Sequence, residues 1–348
     1  MRCTVALVLI LATACSGTSR RTTPREPVGR TADGRMVLPQ NQLLQPHGQL
    51  VELPGLRPQA LALSKDGSAL FVSGKTAELL VLNAATGEIR QRVKMPNDAQ
   101  TAAPTESGGK VLAPDKDALQ SFTGLVLSAD GTTLFQSNVK GSIKVYGIDK
   151  TGAATPSHSL PLPKANAPRR EAEIPSGLAL SAGGAKLYVC GNLSNQLLEL
   201  DAKSGKLLRA FPVGVAPYDV VLVGMRAFVS NWGGSRPRPG DLTGPAGRGT
   251  TVAVDPVRFV AMDGSVSVID LESGKLVAET KTGHHASALA RSPSGEHVVC
   301  ANAGSDTISI LAAKDGALLE NVCCKHKPSR SEEHTSELQS QFRISYAV

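Results

Sequence analysis

One pattern recurs along this chain and limits what it can fold into. QALALSKDGSALFVSG begins at Gln59, TGLVLSADGTTLFQSN at Thr123, SGLALSAGGAKLYVCGN at Ser176, YDVVLVGMRAFVSNW at Tyr218 and ASALARSPSGEHVVCAN at Ala286. Each is followed by a second paired segment: ELLVLNAATGEIRQRVKM, SIKVYGIDKTGAATPSHSLPL, NQLLELDAKSGKLLRAFPV, SVSVIDLESGKLVAETKT and DTISILAAKDGALLENVC. Alternation with a period of two, as in Ser265-Val266-Ser267-Val268-Ile269, marks strands with one buried face. Asp66-Gly67, Asp130-Gly131 and Ser294-Gly295 reverse the chain inside the first pair, because Gly tolerates positive φ. Thr86-Gly87, Ser204-Gly205, Ser273-Gly274 and Asp315-Gly316 do the same inside the second.

Each unit therefore reads as a four-stranded antiparallel meander, with strands a, b, c and d. A unit of ~40 residues cannot bury both faces of such a sheet alone, and radial stacking of units into a β-propeller solves the problem. Small residues such as Ala62, Ala179 and Ala288 suit inner strands near an axis. The predicted fold class is an all-β propeller with five complete blades. The stretches RMVLPQ (35–40) and QLVEL (49–53) read as an N-terminal hairpin, strands c and d of a closing blade. The matching a and b strands are expected after Cys324, which predicts six or seven blades in a closed ring and an open edge in this chain.

Composition agrees with one large all-β unit: 348 residues, 41 % hydrophobic and 3 % aromatic, with 34 Gly. The net charge of +7 is spread along the chain and gives no nucleic-acid signature. Residues 1–15 differ. Arg2 precedes the apolar run Val5–Leu11, too short for the ~20 residues of a membrane span, and Thr13-Ala14 leads into Cys15. This reads as an export signal. It resembles the bacterial lipoprotein signal, which implies lipidation of Cys15 and a membrane anchor at the cell envelope; plain secretion is the alternative. Residues 16–35 read as a flexible tether.

The other cysteines give no framework. Cys190 and Cys300 fall at one place in two repeats and so are expected far apart, and Cys323-Cys324-Lys-His lacks haem or zinc spacing. Gly244–Thr250 lacks the lysine of a phosphate loop, and Asp115-Lys-Asp117 lacks the remaining ligands of a calcium loop. No cofactor or metal is expected.

NAGSDTISILAAKDGALLE and DGSVSVIDLESGKLVAETKTG resemble the YVTN-type propeller repeat of bacterial envelope proteins, and the likeness covers about residues 57 to 324. GRMVLPQNQLL and the long stretch from Ser230 to Leu271 are similar to the propeller half of bacterial proteins in which such a propeller precedes an alkaline-phosphatase-like phosphoesterase domain. The propeller proper is then residues 36–329. The segment RSEEHTSELQS that follows resembles a translated sequencing adapter, so residues 330–348 are set aside from fold reasoning.

In a meander, the a–b and c–d turns share one face, and the b–c and d–a loops share the other. All the tight Gly turns fall on the first face. The long insertions 97–121, 164–175 and 233–263 fall on the second, where function is expected to sit. Candidate side chains on that face are Arg57, Tyr218, Asp219, His284 and His285 at d–a positions. At b–c positions stand Asn138, Asn192, Asn231, Trp232, Asn302 and Asp306, with Arg236, Arg238, Asp241, Arg248 and Asp255 inside the third insertion. An Asn recurring at the end of strand b suits a loop-capping hydrogen-bonder. His284 and His285 suit a metal or base role only if both reach one side, which adjacent strand positions oppose. The arginines suit an anion or a partner domain, or pairing with Asp241 and Asp255. Trp232, the single Trp, suits anchoring of the insertion.

No Ser-His-Asp set or carboxylate pair can be assembled. The expected function is a non-catalytic binding or scaffold module of the envelope, whose ligand or partner protein meets the long-loop face, attached in the complete protein to a phosphoesterase domain. The alternative is a lactonase-type propeller hydrolase, which needs more carboxylates at the channel mouth than this chain offers. A quinoprotein-type propeller lacks its regular Trp pattern here.

Overall fold

The computed structural model describes residues 27–32, 35–39, 43–44, 50–102, 114–165, 167–246 and 251–323. The signal and Cys15, Arg248, and everything after Cys323, including the expected closing strands and residues 330–348, lie outside them. The chain divides into a small unit ending at Glu52 and a large one beginning at Leu53.

In the small unit, β1 (Gly29–Arg30), β2 (Met36–Val37) and β3 (Leu43–Leu44) form an antiparallel sheet in that order. The partners of Met36–Val37 are thus Gly29–Arg30 and Leu43–Leu44, not the expected QLVEL. Residues 50–53 form no strand. The reason lies partly in the large unit, where Leu53 and Leu56 fold onto Val72, Leu80 and Leu82 of the first blade. Burying Leu56, at ~1.5–3 kcal/mol, with Leu53 partly covered beside it, outweighs a short edge pairing.

Among the described residues, the large unit holds five four-stranded antiparallel sheets and one two-stranded hairpin. Blade 1 is β4 (Pro58–Leu63), β5 (Ala69–Gly74), β6 (Glu78–Asn83) and β7 (Ile89–Lys94). Blade 2 is β8 (Gln120–Leu127), β9 (Thr133–Asn138), β10 (Ser142–Ile148) and β11 (Ala154–Pro161). Blade 3 is β12 (Pro175–Leu180), β13 (Lys186–Gly191), β14 (Gln196–Asp201) and β15 (Leu207–Pro212). Blade 4 is β16 (Pro217–Val223), β17 (Arg226–Asn231), β20 (Gly264–Asp270) and β21 (Leu276–Thr282), with the hairpin β18 (Thr243–Pro245) and β19 (Thr251–Ala253) inserted between its b and c strands. Blade 5 is β22 (Ala286–Arg291), β23 (His297–Asn302), β24 (Thr307–Ala312) and β25 (Leu318–Cys323).

The a strands neighbour one another in the order β4, β8, β12, β16, β22, as radial stacking requires. Four apolar cores lie between successive blades. Phe71 and Leu79 meet Leu134 and Tyr146; Phe135 and Ile143 meet Leu187 and Val189; Phe211 meets Val229 and Ile269; Phe228 and Val268 meet Val298 and Leu311. Blade 3 is covered on both sides, and five of the six residues of β13 are buried. In β23, burial alternates because only the side facing blade 4 is covered. Leu61 and Leu63 on the outer side of β4 are 63 % and 55 % exposed. Among the described strands, no comparable packing joins blade 5 back to blade 1.

Two details escape the repeat pattern. Cys300 pairs across with Leu289, whereas the matching Leu178 pairs with Val189, so Cys190 and Cys300 differ by one register place. They consequently face blade 4 from opposite sides, both buried and free. In addition, every d strand carries a β-bulge opposite its c strand, which twists the outer edge and blunts it against stray pairing.

Candidate functional site

The long loops share one face, as strand order dictates. The insertion between β17 and β20 is a folded element rather than a slack loop. Val252, Val254 and Ala261 pack on Val215 and Ala216 of the blade 3–4 connection, and Trp232 and Ala246 complete this small core. Arg236 donates from Nε to the Val213 carbonyl and from Nη2 to the Asn195 carbonyl, both at 2.8 Å. The expected Arg–Asp pairing does not involve Arg236, because the backbone ends of blade 3 offer acceptors closer to it. Asp241 caps a turn by accepting from the Arg238 amide at 2.7 Å.

Val254 and Ala261 bridge, and the six residues between them form a tight loop. Asp255 holds that loop. Its carboxylate accepts from the Val257 and Arg258 amides at 2.9 and 2.7 Å, which lowers its pKa. Its partner among the arginines is Arg258, at 3.8 Å. The loop projects Val257 and Phe259, 83 % and 71 % exposed, with Leu242 and Met262 also exposed on the same insertion. Phe259 has φ of +54°, a left-handed conformation that a bulky L-residue adopts only when its surroundings impose it.

The d–a candidates turn inward. The rings of Trp232 and His285 stack 3.8 Å apart and 1° from parallel. Burial, and then the neighbouring His284, push the His285 pKa down to about 4. His285 itself has φ of +56°, so the two histidines do not alternate as strand residues would. Tyr218 is buried edge-on against Phe122, with centroids 5.3 Å apart. Asp219 is half-buried between blades. Its carboxylate accepts from the Leu289 amide of blade 5 and from Val220, both at 2.9 Å. Burial nevertheless raises its pKa to about 6. Arg57 is exposed, and its carbonyl accepts from the Lys75 amide at 3.0 Å.

The recurring asparagines act as caps. Asn138 donates to Ser142, Asn231 to Ser265 and Ser267, and Asn302 to Thr307 and Ser309, each binding the end of strand b to strand c. Asn192 lies one residue beyond its strand, where Gly191 holds the equivalent place, and it reaches instead to the Pro217 carbonyl. Asp306 is exposed, with φ of +50° in the b–c turn of blade 5.

The repeat pattern gave no hint of Lys144. It is 0 % exposed, and its ammonium contacts Asp98 at 2.8 Å, Asp115 at 3.1 Å and the Pro96 carbonyl at 2.7 Å. This clamp fastens both ends of the insertion 97–121 to blade 2. Asp115 and Asp117 thus face Lys140 and Lys144, which accounts for carboxylates that might suggest a calcium loop. Among the described residues, no group of three His, Cys, Asp or Glu side chains could hold a metal ion. The exposed apolar tip of the blade 4 insertion was also missed; its signal was the run Val257-Arg258-Phe259 in an otherwise polar, Pro- and Gly-rich stretch.

Comparison with known proteins points the same way on fold. The PQQ_2 family profile, described as outer membrane protein assembly factor BamB, matches residues 54–208. No curated protein matches the chain. Among solved structures, hydrazine synthase of Kuenenia stuttgartiensis aligns at 18 % identity and TM-score 0.50, covering 79 % of this chain and 69 % of that one. The structure titled U3-55K aligns at 12 % identity and TM-score 0.54, covering 81 % and 70 %, and the WD40 repeats of RRP9 align at 12 % and 0.54, covering 81 % and 69 %. At these identities the likeness establishes a β-propeller fold built from repeats.

Proposed function

We propose that this chain is a non-catalytic scaffold of the bacterial envelope that docks a partner protein through the tip of its blade 4 insertion. The observation that carries this reading is the exposed pair Val257 and Phe259, held out by an Asp255-capped loop on a packed base. A rigid aromatic flanked by aliphatic side chains is the composition of an interface anchor. The polar candidates on the same face support the loop: Arg236, Asp241 and Asp255 are engaged with backbone groups, and His285 is stacked under Trp232. The match to an outer membrane assembly factor over residues 54–208 favours a protein-binding role at the envelope. Lipidation of Cys15 supplies the anchor, and the complete protein joins this propeller to a phosphoesterase domain.

A photo-crosslinking amino acid placed at Phe259 in cells is expected to capture an envelope protein, and the same probe at Leu63 is not. Equal labelling from both sites, or none from 259, would overturn the reading. Hydrolysis of a sugar lactone by this chain would replace it with the lactonase alternative. Genomic sequence downstream of codon 329 decides the phosphoesterase attachment.

A further inference from the structure

Each seam of the large unit joins the trailing face of one blade to the leading face of the next, and strand register lets these faces be matched position by position. On the leading face of blade 1, Leu61 and Leu63 stand opposite Val72 and Leu70, which stand opposite Leu80 and Leu82. On the leading face of blade 3, Leu178 and Leu180 stand opposite Val189 and Leu187, and these opposite Leu198 and Leu200. Every residue type is the same at every matched position. Blade 3 packs this face against Val126, Phe135, Ile143, Val145 and Leu160 of blade 2.

The trailing face of blade 5 repeats that of blade 2 in kind. Ala290, Val299 and Ile310 lie in line across its strands, as Val126, Phe135 and Val145 do in blade 2. Ile308 and Val322 stand opposite each other, as Ile143 and Leu160 do. All of these blade 5 residues are aliphatic, yet Val299, Ile308 and Ile310 are only half-buried, and Ala290 and Val322 are exposed. On blade 1, Leu53 and Leu56 lie over Val72, Leu80 and Leu82, but Leu61 is 63 % exposed where its counterpart Leu178 is buried. Among the described strands, no comparable packing joins these two faces within one molecule.

We propose that two copies of this chain associate head to tail, with the trailing face of blade 5 in one copy docked on the leading face of blade 1 in the other. The contact reproduces the blade 2–3 seam between molecules and removes two aliphatic faces from water. The docking blade takes the place of Leu53 and Leu56, so that segment competes with it and keeps the contact weaker than a seam within the chain. Because the two faces differ, each dimer retains one of each, and association continues unless the rotation closes a ring. This contact is separate from the blade 4 insertion and stands whether or not Phe259 docks a partner.

Sedimentation velocity of the full chain at rising concentration tests the proposal. Wild type is expected to pass from monomer to dimer and on to longer species. Leu61→Asp and Val322→Asp, both at exposed positions, are each expected to stay monomeric at concentrations at least tenfold higher. Mixed together, they are expected to form a one-to-one dimer and nothing larger, because Leu61→Asp keeps an intact blade 5 face and Val322→Asp an intact blade 1 face. That rescue also shows that both variants fold. Phe259→Ser is expected to associate like wild type. Wild type that stays monomeric throughout would refute the proposal, since the chain's own residues or another protein then cover these faces. A variant that associates like wild type, or a mixture that forms no dimer, would do the same. Dimers of Leu61→Asp alone would point to blade 5 meeting blade 5 and equally overturn it. A photo-crosslink from Leu63 is expected to join two copies of this chain, and its doubled mass separates it from capture of a different protein at Phe259.

Discussion

Trp232 lies flat against His285, with ring centroids 3.8 Å apart, and the contact ties the strand-b end of blade 4 to the connection that leads into blade 5. It also gives the only Trp of the chain a titratable neighbour.

The first prediction follows from that contact. His285 has a folded pKa of about 4, below its ordinary 6.5, so the neutral ring is the form that folding favours. Its contribution is present above pH 6.5 and is lost as pH falls toward 4, a swing of roughly 3 kcal/mol. Trp232 fluorescence is expected to stay level from pH 8 to 5 and to drop near pH 4, as the stacked imidazole becomes cationic. His285→Phe should abolish the step. A step near pH 6.5 in wild type would mean that the ring is solvated.

Asp219 titrates with the opposite sign. Its folded pKa of about 6 exceeds the ordinary 3.8, so the protonated acid is favoured in the fold. The gain is complete below pH 3.8 and is lost as pH rises through 6, worth up to about 3 kcal/mol. The stability difference between wild type and Asp219→Asn, followed by urea unfolding from pH 4.5 to 8, is expected to move in favour of wild type as pH falls. A difference independent of pH would show that the carboxylate is better hydrated than its burial indicates.

Lys144 is fully enclosed and pairs with Asp115, which is nearly buried, and with Asp98, which is half exposed. Lys144→Met leaves Asp98 without its ion-pair partner and Asp115 with Lys140 alone, at 3.8 Å, and a loss of roughly 3 kcal/mol is expected. Limited proteolysis should then cut between Pro96 and Asp115 well before the blades. If Lys144→Met resists protease like wild type, the clamp does not hold the loop.

Two positive-φ turn glycines, one in an a–b turn and one in a c–d turn, should respond differently to alanine. At Gly67 a Cβ meets nothing within 4 Å, and only the positive φ opposes it, a cost of about 1–2 kcal/mol. At Gly316 a Cβ would lie 2.5 Å from Val268 Cγ2 of the preceding blade, adding roughly 1–3 kcal/mol of overlap. Thermal unfolding is expected to place Gly316→Ala clearly below Gly67→Ala. Equal midpoints would show that the blade 4–5 seam relaxes freely.

That pair of glycines shows where sequence reading stops. Both were legible as turns, because a two-residue reversal between alternating segments needs positive φ. That only one of them touches the neighbouring blade depends on how blades nest, which no local pattern carries. The asparagine caps were legible for a similar reason: they recur at a fixed distance from a strand end. Asn192 was placed one residue off, since only the strand pairing shows that Gly191, opposite Gln196, holds the place that Asn302 holds opposite Thr307. The insertion was legible as an elaboration of the b–c face by its length and its side of the blade. Its charged residues are the conspicuous ones in the sequence, whereas the structure engages Arg236, Asp241 and Asp255 in holding the loop and exposes Val257 and Phe259.

The sequence alone determined the meander, the blade order and the division into a plain and an elaborated face. These follow from alternation and turn chemistry, which act between residues close along the chain. Only the tertiary structure decided that Lys144 is a buried clamp and that Asp219 binds the next blade. Each of these depends on groups far apart in sequence meeting across a seam, where burial sets both their charge state and their availability.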